Sequence, residues 1–261
     1  MAVAIYQVDA FAKRRFTGNP AAVMVLDAYA DDAVLQAVAA ENNLAETAFL
    51  VADGADFHIR WFTPTVEVPL CGHATLASAA VVMERLSPGR REVVFHSRSG
   101  PLPVRRAASG YVMDFPARPC EPTTAPENLA AALGETPVEV VTDRFNYLVR
   151  LASADQVRGL RPDMAGLAGL DADGVIVTAP GDQGYDFVSR YFAPAKGIPE
   201  DPVTGGAHCA LAPYWAERLG KTGFRAFQAS KRGGEVVCRA LGDRVELEGG
   251  CVFYLEGQAE I

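Results

Sequence analysis

No two of the five cysteines, at 71, 120, 209, 238 and 251, are spaced as CxxC. That argues against a zinc ribbon, and this usage fits a reduced cytoplasm. Long apolar runs are also missing. The longest, residues 74–83, is about half the ~20 residues a membrane span needs. The first residues, MAVAIYQVDAF, alternate in polarity and have no basic leader ahead of a long apolar stretch, so a signal peptide is not expected. Positive charge is in deficit. The 24 Lys and Arg stand against 32 Asp and Glu, for a net charge of −8 and a pI near 5.1. That balance argues against nucleic acid or an anionic membrane as the main partner. A small anionic ligand stays open, because it needs only a local positive site.

Apolar material is plentiful: 49% of the 261 residues are hydrophobic and 21% are charged. The length is too great for one small core and fits two ordinary domains or one large one. Alternation of apolar and polar residues predicts a strand at 4–11; 21–27 reads as a second, mostly buried strand, and 47–51 and 57–64 as further strands. Helical periodicity covers 31–43, with acidic residues at its start. A helix over 73–86 follows, then a meander through 92–116. The Pro-rich stretch 117–126 is the candidate boundary between lobes 1–116 and 117–249. The second half repeats the plan: a helix at 126–134, strands, a helix near 155–168, a strand into the irregular loop 185–206, a helix over 207–220, and a closing meander.

Each half thus has strands, a glycine-containing loop, and an Ala-rich helix that starts at a Gly–His element: CGHATLASAA and TGGAHCALAPYW. This weak internal similarity suggests two lobes built alike, although Gly then Ala is also a common start for any packed helix. Two such helix starts facing one ligand would offer backbone N–H donors and two positive dipole ends, a carboxylate site without lysine or arginine. Gly72, Gly205 and Gly206 would let backbone come close to it. Two core helices with tight starts would leave the same trace.

Several side chains could do acid or base work. Glu46 has small or apolar neighbours, and partial desolvation would raise its pKa toward a proton-shuttling range; a surface turn glutamate is the plainer alternative. His73, in the first helical turn, is expected to have a lowered pKa there, or else to cap or pack. Asp201 precedes a proline ahead of the second helix and could simply stabilise a turn; Glu200 beside it is equally available. Cys71 at a helix start would be acidified. Cys209 falls inside its helix and reads as a buried small hydrophobe.

The segments QVDAF, FTGNPAAV, AETAFL, RWFTPTVEVPLCGHATLASA, SRYFAPAKGIPEDPVTGGAHCALAPYW, QASKRGG and GDRVELEG, in this order, resemble the PhzF family, named for phenazine biosynthesis. The resemblance covers nearly the whole chain. It implies an α+β, diaminopimelate epimerase-like fold: two similar lobes, each a mixed barrel-like sheet around a central helix, with the active site between them. It also implies that strand 250–261 crosses back to the first lobe, and that the protein is a homodimer. The family enzyme isomerises trans-2,3-dihydro-3-hydroxyanthranilate with a proton-moving glutamate, and without cofactor or metal. Carried over by motif, that glutamate is Glu46. His73 and Asp201 assist, and the backbone of Gly72, Ala74, Thr204, Gly205 and Gly206 holds the substrate. Gly206 departs from the pattern, which often has serine there, so the phenazine precursor is in doubt as the substrate. Epimerases of the same fold use two cysteines. Here Cys71 would face Thr204, whose hydroxyl is too weak an acid for that role. The resemblance therefore implies an isomerase acting on a small carboxylate. A non-catalytic binder of small acids and an amino-acid epimerase or racemase are the alternatives.

Overall fold

In the computed structural model, which describes residues 2–261, the chain divides into two compact units. One holds the residues up to Asp114 together with Glu248–Ile261; the other is Phe115–Leu247. The C-terminal strand Cys251–Glu260 lies in the first unit and runs antiparallel to the N-terminal strand.

The first unit runs through β1 (Ala2–Ala10), β2 (Asn19–Leu26), α1 (Asp32–Asn42), β3 (Glu46–Asp53), β4 (Asp56–Phe62), β5 (Glu67–Val68), α2 (Gly72–Val81), β6 (Glu92–Ser97), β7 (Gly100–Ala107) and β8 (Gly110–Pro116). Neighbours pair in a fixed alternation. β1–β2 is antiparallel, β2–β3 parallel, β3–β4 antiparallel, β4–β6 parallel and β6–β7 antiparallel. The second unit contains β9 (Glu121–Pro122), α3 (Leu129–Leu133), β10 (Glu139–Thr142), β11 (Asn146–Arg150), α4 (Ala154–Gly159), α5 (Met164–Ala168), β12 (Gly174–Pro180), β13 (Phe187–Phe192), α6 (Gly205–Leu219), β14 (Gly223–Gln228), β15 (Gly234–Leu241) and the start of β16 (Arg244–Gly249). Its pairs repeat the alternation: β10–β11 antiparallel, β11–β12 parallel, β12–β13 antiparallel, β13–β14 parallel and β14–β15 antiparallel.

Parallel neighbours need a crossover, and helices supply it. The first crossover carries α1 in one unit and α4 with α5 in the other. The second carries α2 or α6. The weak internal similarity of the sequence is therefore a repeat of topology.

The two kinds of helix differ in their surroundings. α1 covers an outer face, packing Leu35 and Ala39 on Met24, Leu26, Phe49 and Phe62. In α2 every residue from His73 to Val81 is buried, as expected of a helix that is apolar all round. It packs against β1, β2, β3, β7 and the C-terminal strand. Its alanines and serine keep it thin enough to be enclosed. Its buried hydroxyls return to the helix backbone: Thr75 Oγ1 to the Cys71 carbonyl at 2.6 Å and Ser78 Oγ to the Ala74 carbonyl at 2.7 Å. Leu76, fully buried, contributes about 1.5–3 kcal/mol by leaving water. α6 is likewise buried through most of its length. Its Trp215 stacks on Phe187 at 5.8 Å and donates to Thr178 Oγ1 at 3.1 Å.

Local chemistry adjusts several expected helix limits. The helix expected near 155–168 is two short ones, because Pro162 cannot continue the first and Asp163 caps the second, accepting from the Ala165 N–H at 3.0 Å. The helix expected over 73–86 is α-helical to Val81 and ends in a π turn, Val82–Leu86. The helix expected at 126–134 is only Leu129–Leu133.

Among the described residues, no helix is long and apolar enough to cross a membrane.

Candidate active site

Glu46 opens β3, and Asn19 opens β2. These strands are parallel, with Ala21 opposite Glu46, so both start at the same end. α1 delivers the chain there, stopping at Asn43 in a left-handed conformation. Gly18, just ahead of Asn19, has φ +68°, and a Cβ there would lie 2.1 Å from the Ala10 carbonyl oxygen. Only glycine fits that turn. α2 packs on β2 and β3 with its first turn beside their starts, and His73 meets both neighbours. Its Nδ1 is 3.2 Å from Asn19 Nδ2 and its Nε2 is 3.1 Å from Glu46 Oε2.

Both partners are sheltered: the Glu46 side chain is 12% exposed and that of His73 6%. Glu46 is thus not a surface turn residue. Glu46 Oε2 and His73 Nε2 are in contact but misaligned for a hydrogen bond, and neither makes one elsewhere. Such a pair has unused donor and acceptor capacity for a ligand.

The His73 pKa moves opposite to expectation. Burial by itself would lower it, but the Glu46 carboxylate draws the proton on and the Cys71 sulfur offers the ring a hydrogen-bond partner, and the value stands well above the ordinary imidazole range. A carboxylate in contact outweighs the partial charge of a helix end. Cys71 is corrected in the same way. Burial first, then the Glu46 charge, push its thiol up to about 11 rather than down. The sulfur is 3.4 Å from His73 Nδ1 and stays protonated near neutral pH. Cys71→Ala is therefore expected to keep activity within about threefold of the parent, whereas a thiolate nucleophile or base would be indispensable. Loss of activity in that variant would return the thiol to the mechanism.

Glu46, Cys71 and His73 also have ligand atoms within 4.8 Å of one another, a set that could hold a metal ion. Binding one would require the thiol and the imidazole to give up the protons that this environment holds on them.

Cys71 is the N-cap of α2, and Thr204 is the N-cap of α6. Neither helix has a side-chain cap bond, so the first-turn N–H groups at Gly72, His73 and Gly205–Ala207 have no acceptor within their helices, while the Ala74 N–H faces the Cys71 sulfur. Thr204 itself is occupied. Its hydroxyl donates to Asp201 Oδ2 at 2.6 Å and its N–H to Gln228 Oε1 at 2.9 Å. Thr204 thus has both its N–H and its hydroxyl engaged within the second unit. Gln228 Nε2 also donates to the Asp201 carbonyl at 2.8 Å, and Ser230 Oγ donates to that of Pro202 at 2.8 Å, so QASKRGG pins the loop EDPVTG. Glu200 is not equivalent to Asp201. It forms a two-pronged ion pair with Arg190, at 2.7 and 3.0 Å. Sequence reasoning missed Asn19 and Gln228; their only signal was membership of the segments FTGNPAAV and QASKRGG.

The first unit thus brings Glu46, His73, Gly72 and Ala74 together. The second brings together Asp201, Thr204, Gly205 and Gly206.

Comparison with known proteins agrees with this layout. An uncharacterized isomerase of Pseudomonas aeruginosa is 51% identical over 258 residues, 98% of either chain. A PhzF-family phenazine biosynthesis protein structure from Enterococcus faecalis superposes with a TM-score of 0.97 at 44% identity, covering 100% of both chains. A hydroxyproline epimerase from Agrobacterium vitis, 10% identical, has the same fold at a TM-score of 0.62 over 98% of this chain and 92% of its own. Residues 8–257 match the family described as phenazine biosynthesis-like protein. Two units of one topology, each built around a buried helix, with the family's motifs spread along nearly the full length, place this chain in the PhzC-PhzF family.

Proposed function

We propose that this protein is an isomerase that moves a proton on a small carboxylate substrate. The observation that carries the reading is the sheltered Glu46 carboxylate, 3.1 Å from the His73 imidazole at an uncapped helix start. In this reading Glu46 takes a proton from one carbon of the substrate and returns it to another. His73, kept protonated, stabilises the charge that develops on the substrate while the proton is on Glu46. The N–H groups of Gly72, His73 and Gly205–Ala207 bind carboxylate, and Asp201 orients the substrate. A proton shift along a conjugated acid needs one positioned acid/base and exclusion of water, so the reading calls for no cofactor.

The internal repeat supports a single base. The counterpart of Glu46, at the first position of β12, is Gly174. A Cβ there would lie 2.6 Å from the Tyr191 hydroxyl, so Tyr191 already fills the space. The counterpart of Cys71 is Thr204. A racemase needs a group on each face of the substrate carbon, and the second unit lacks one at either place. The name of the Pseudomonas relative also supports isomerase chemistry.

A binder without catalysis is the competing reading, favoured by Gly206, which offers no hydroxyl. Incubating the protein with a panel of small carboxylic acids in deuterium oxide separates the two. The isomerase reading expects at least one acid to gain mass, and a panel left unlabelled throughout would overturn it.

A further inference from the structure

Pro213 lies inside α6, where it removes the N–H that would otherwise bond to the carbonyl four residues earlier, that of Cys209. The backbone N–H of Arg118 takes its place, donating to the Cys209 carbonyl at 2.9 Å. This bond fixes Arg118 against the helix one turn from Gly206. A Cβ on Gly206 would stand 3.7 Å from Arg118 Nη1 and meet nothing else within 4 Å. The φ of Gly206 is not in the left-handed region, so the backbone does not demand glycine there. What glycine provides is an open space beside a guanidinium.

That guanidinium has donors to spare. It lies 5.1 Å over the Phe145 ring, and its side chain is 37% exposed. Its ion-pair partner is Asp143 Oδ2, only at 4.0 Å. The Asp143 carboxylate is buried and already accepts from the N–H groups of Phe145 and Asn146 and from the Asn146 side chain. Among the described residues, the Arg118 guanidinium makes no hydrogen bond. An arginine with free donors matches a planar carboxylate in a two-pronged fit.

We propose that Arg118 is a substrate-binding residue that reads a second acidic group through the space left by Gly206, which makes the substrate a small dicarboxylate. The inference rests on the reading above, in which the first turn of α6 binds substrate. Where the family pattern often has a hydroxyl, this chain uses a charge.

Calorimetric titration with acids of matched length tests it: glutarate against valerate, and succinate against butyrate. Wild-type protein is expected to bind a diacid at least about tenfold tighter than its monoacid. Arg118→Gln should erase that preference with monoacid binding unchanged, Arg118→Lys should keep part of it, and Gly206→Ser should weaken it by filling the space. Equal binding of mono- and diacids by wild type, or a preference that survives Arg118→Gln, overturns the proposal. So does tighter binding of 3-phosphopropionate than of either diacid, which would make the second group a phosphoryl. Glu46→Gln should leave the diacid preference intact. A diacid preference without deuterium uptake therefore defeats only the isomerase reading, and uptake without the preference defeats only this one.

Discussion

Glu46→Gln is expected to lower deuterium wash-in from solvent by at least about a hundredfold, the lower end of what one positioned acid/base contributes. Glutamine keeps the length and volume of the side chain and removes its basic oxygen. The fold should survive, because the substitution takes a charge out of a sheltered place and adds no bulk. Affinity for a carboxylate ligand should change little, since in the proposed reading backbone N–H groups and not the Glu46 side chain bind it. The expected signature is therefore lost turnover with retained binding. Glu46→Asp, which withdraws the carboxylate by one methylene, should keep a measurable fraction of the rate. Exchange in Glu46→Gln at the parent rate, at equal ligand occupancy, would remove the residue from the chemistry.

The second large effect is on stability. Arg190→Ala is expected to destabilise the protein by about 3–5 kcal/mol, the range for breaking a buried ion pair by removing one partner. The Arg190 side chain is 10% exposed and that of Glu200 20%. Besides Glu200, the guanidinium serves the carbonyls of Val157 and Leu160, at 3.3 and 2.9 Å, and lies 4.8 Å over the Phe192 ring. Alanine would strand the carboxylate and both carbonyls. Arg190→Met with Glu200→Leu should recover much of the loss, because an apolar pair leaves no charge behind. Urea unfolding midpoints measure both variants. A loss below about 1 kcal/mol in Arg190→Ala would mean that the pair is hydrated and weak. The pair also holds the loop next to Asp201, so the single variant should bind ligand less tightly than the double.

Helices α2 and α6 were legible in the sequence because each starts at a glycine and continues in a stretch rich in alanine and other small residues. The N-terminal strand was legible from its alternation, and strands such as β2 and β12 from short apolar runs between turn residues. The contact between Glu46 and His73 was not. The two are 27 positions apart, and what joins them is the parallel pairing of β2 with β3 and the seating of α2 beside their starts. The expected pKa directions of His73 and Cys71 failed for the same reason. A helix end is a local feature that sequence reveals, whereas the neighbouring carboxylate arrives through tertiary structure and is the stronger influence. Glu200 and Asp201 were indistinguishable as neighbours in the chain, and Arg190, ten residues earlier, separates them. Arg118 left no local trace, since its tie to α6 depends on a carbonyl that Pro213 releases.

The account turns on Glu46 and His73 sharing one protonic site. Nitrogen-15 NMR of the His73 ring, followed from pH 5 to 10 in the wild type and in Glu46→Gln, reads that coupling without a substrate. The account predicts a doubly protonated ring at neutral pH in the wild type, with the Asn19 amide turned so that its oxygen accepts from Nδ1, and a clear fall of the ring's pKa once the Glu46 carboxylate becomes an amide. The stability gained from this proton should be complete below about pH 6.5, the unfolded value, and fade as pH rises through the folded one. A ring already neutral at pH 7 in the wild type, or a titration unmoved by Glu46→Gln, would contradict it.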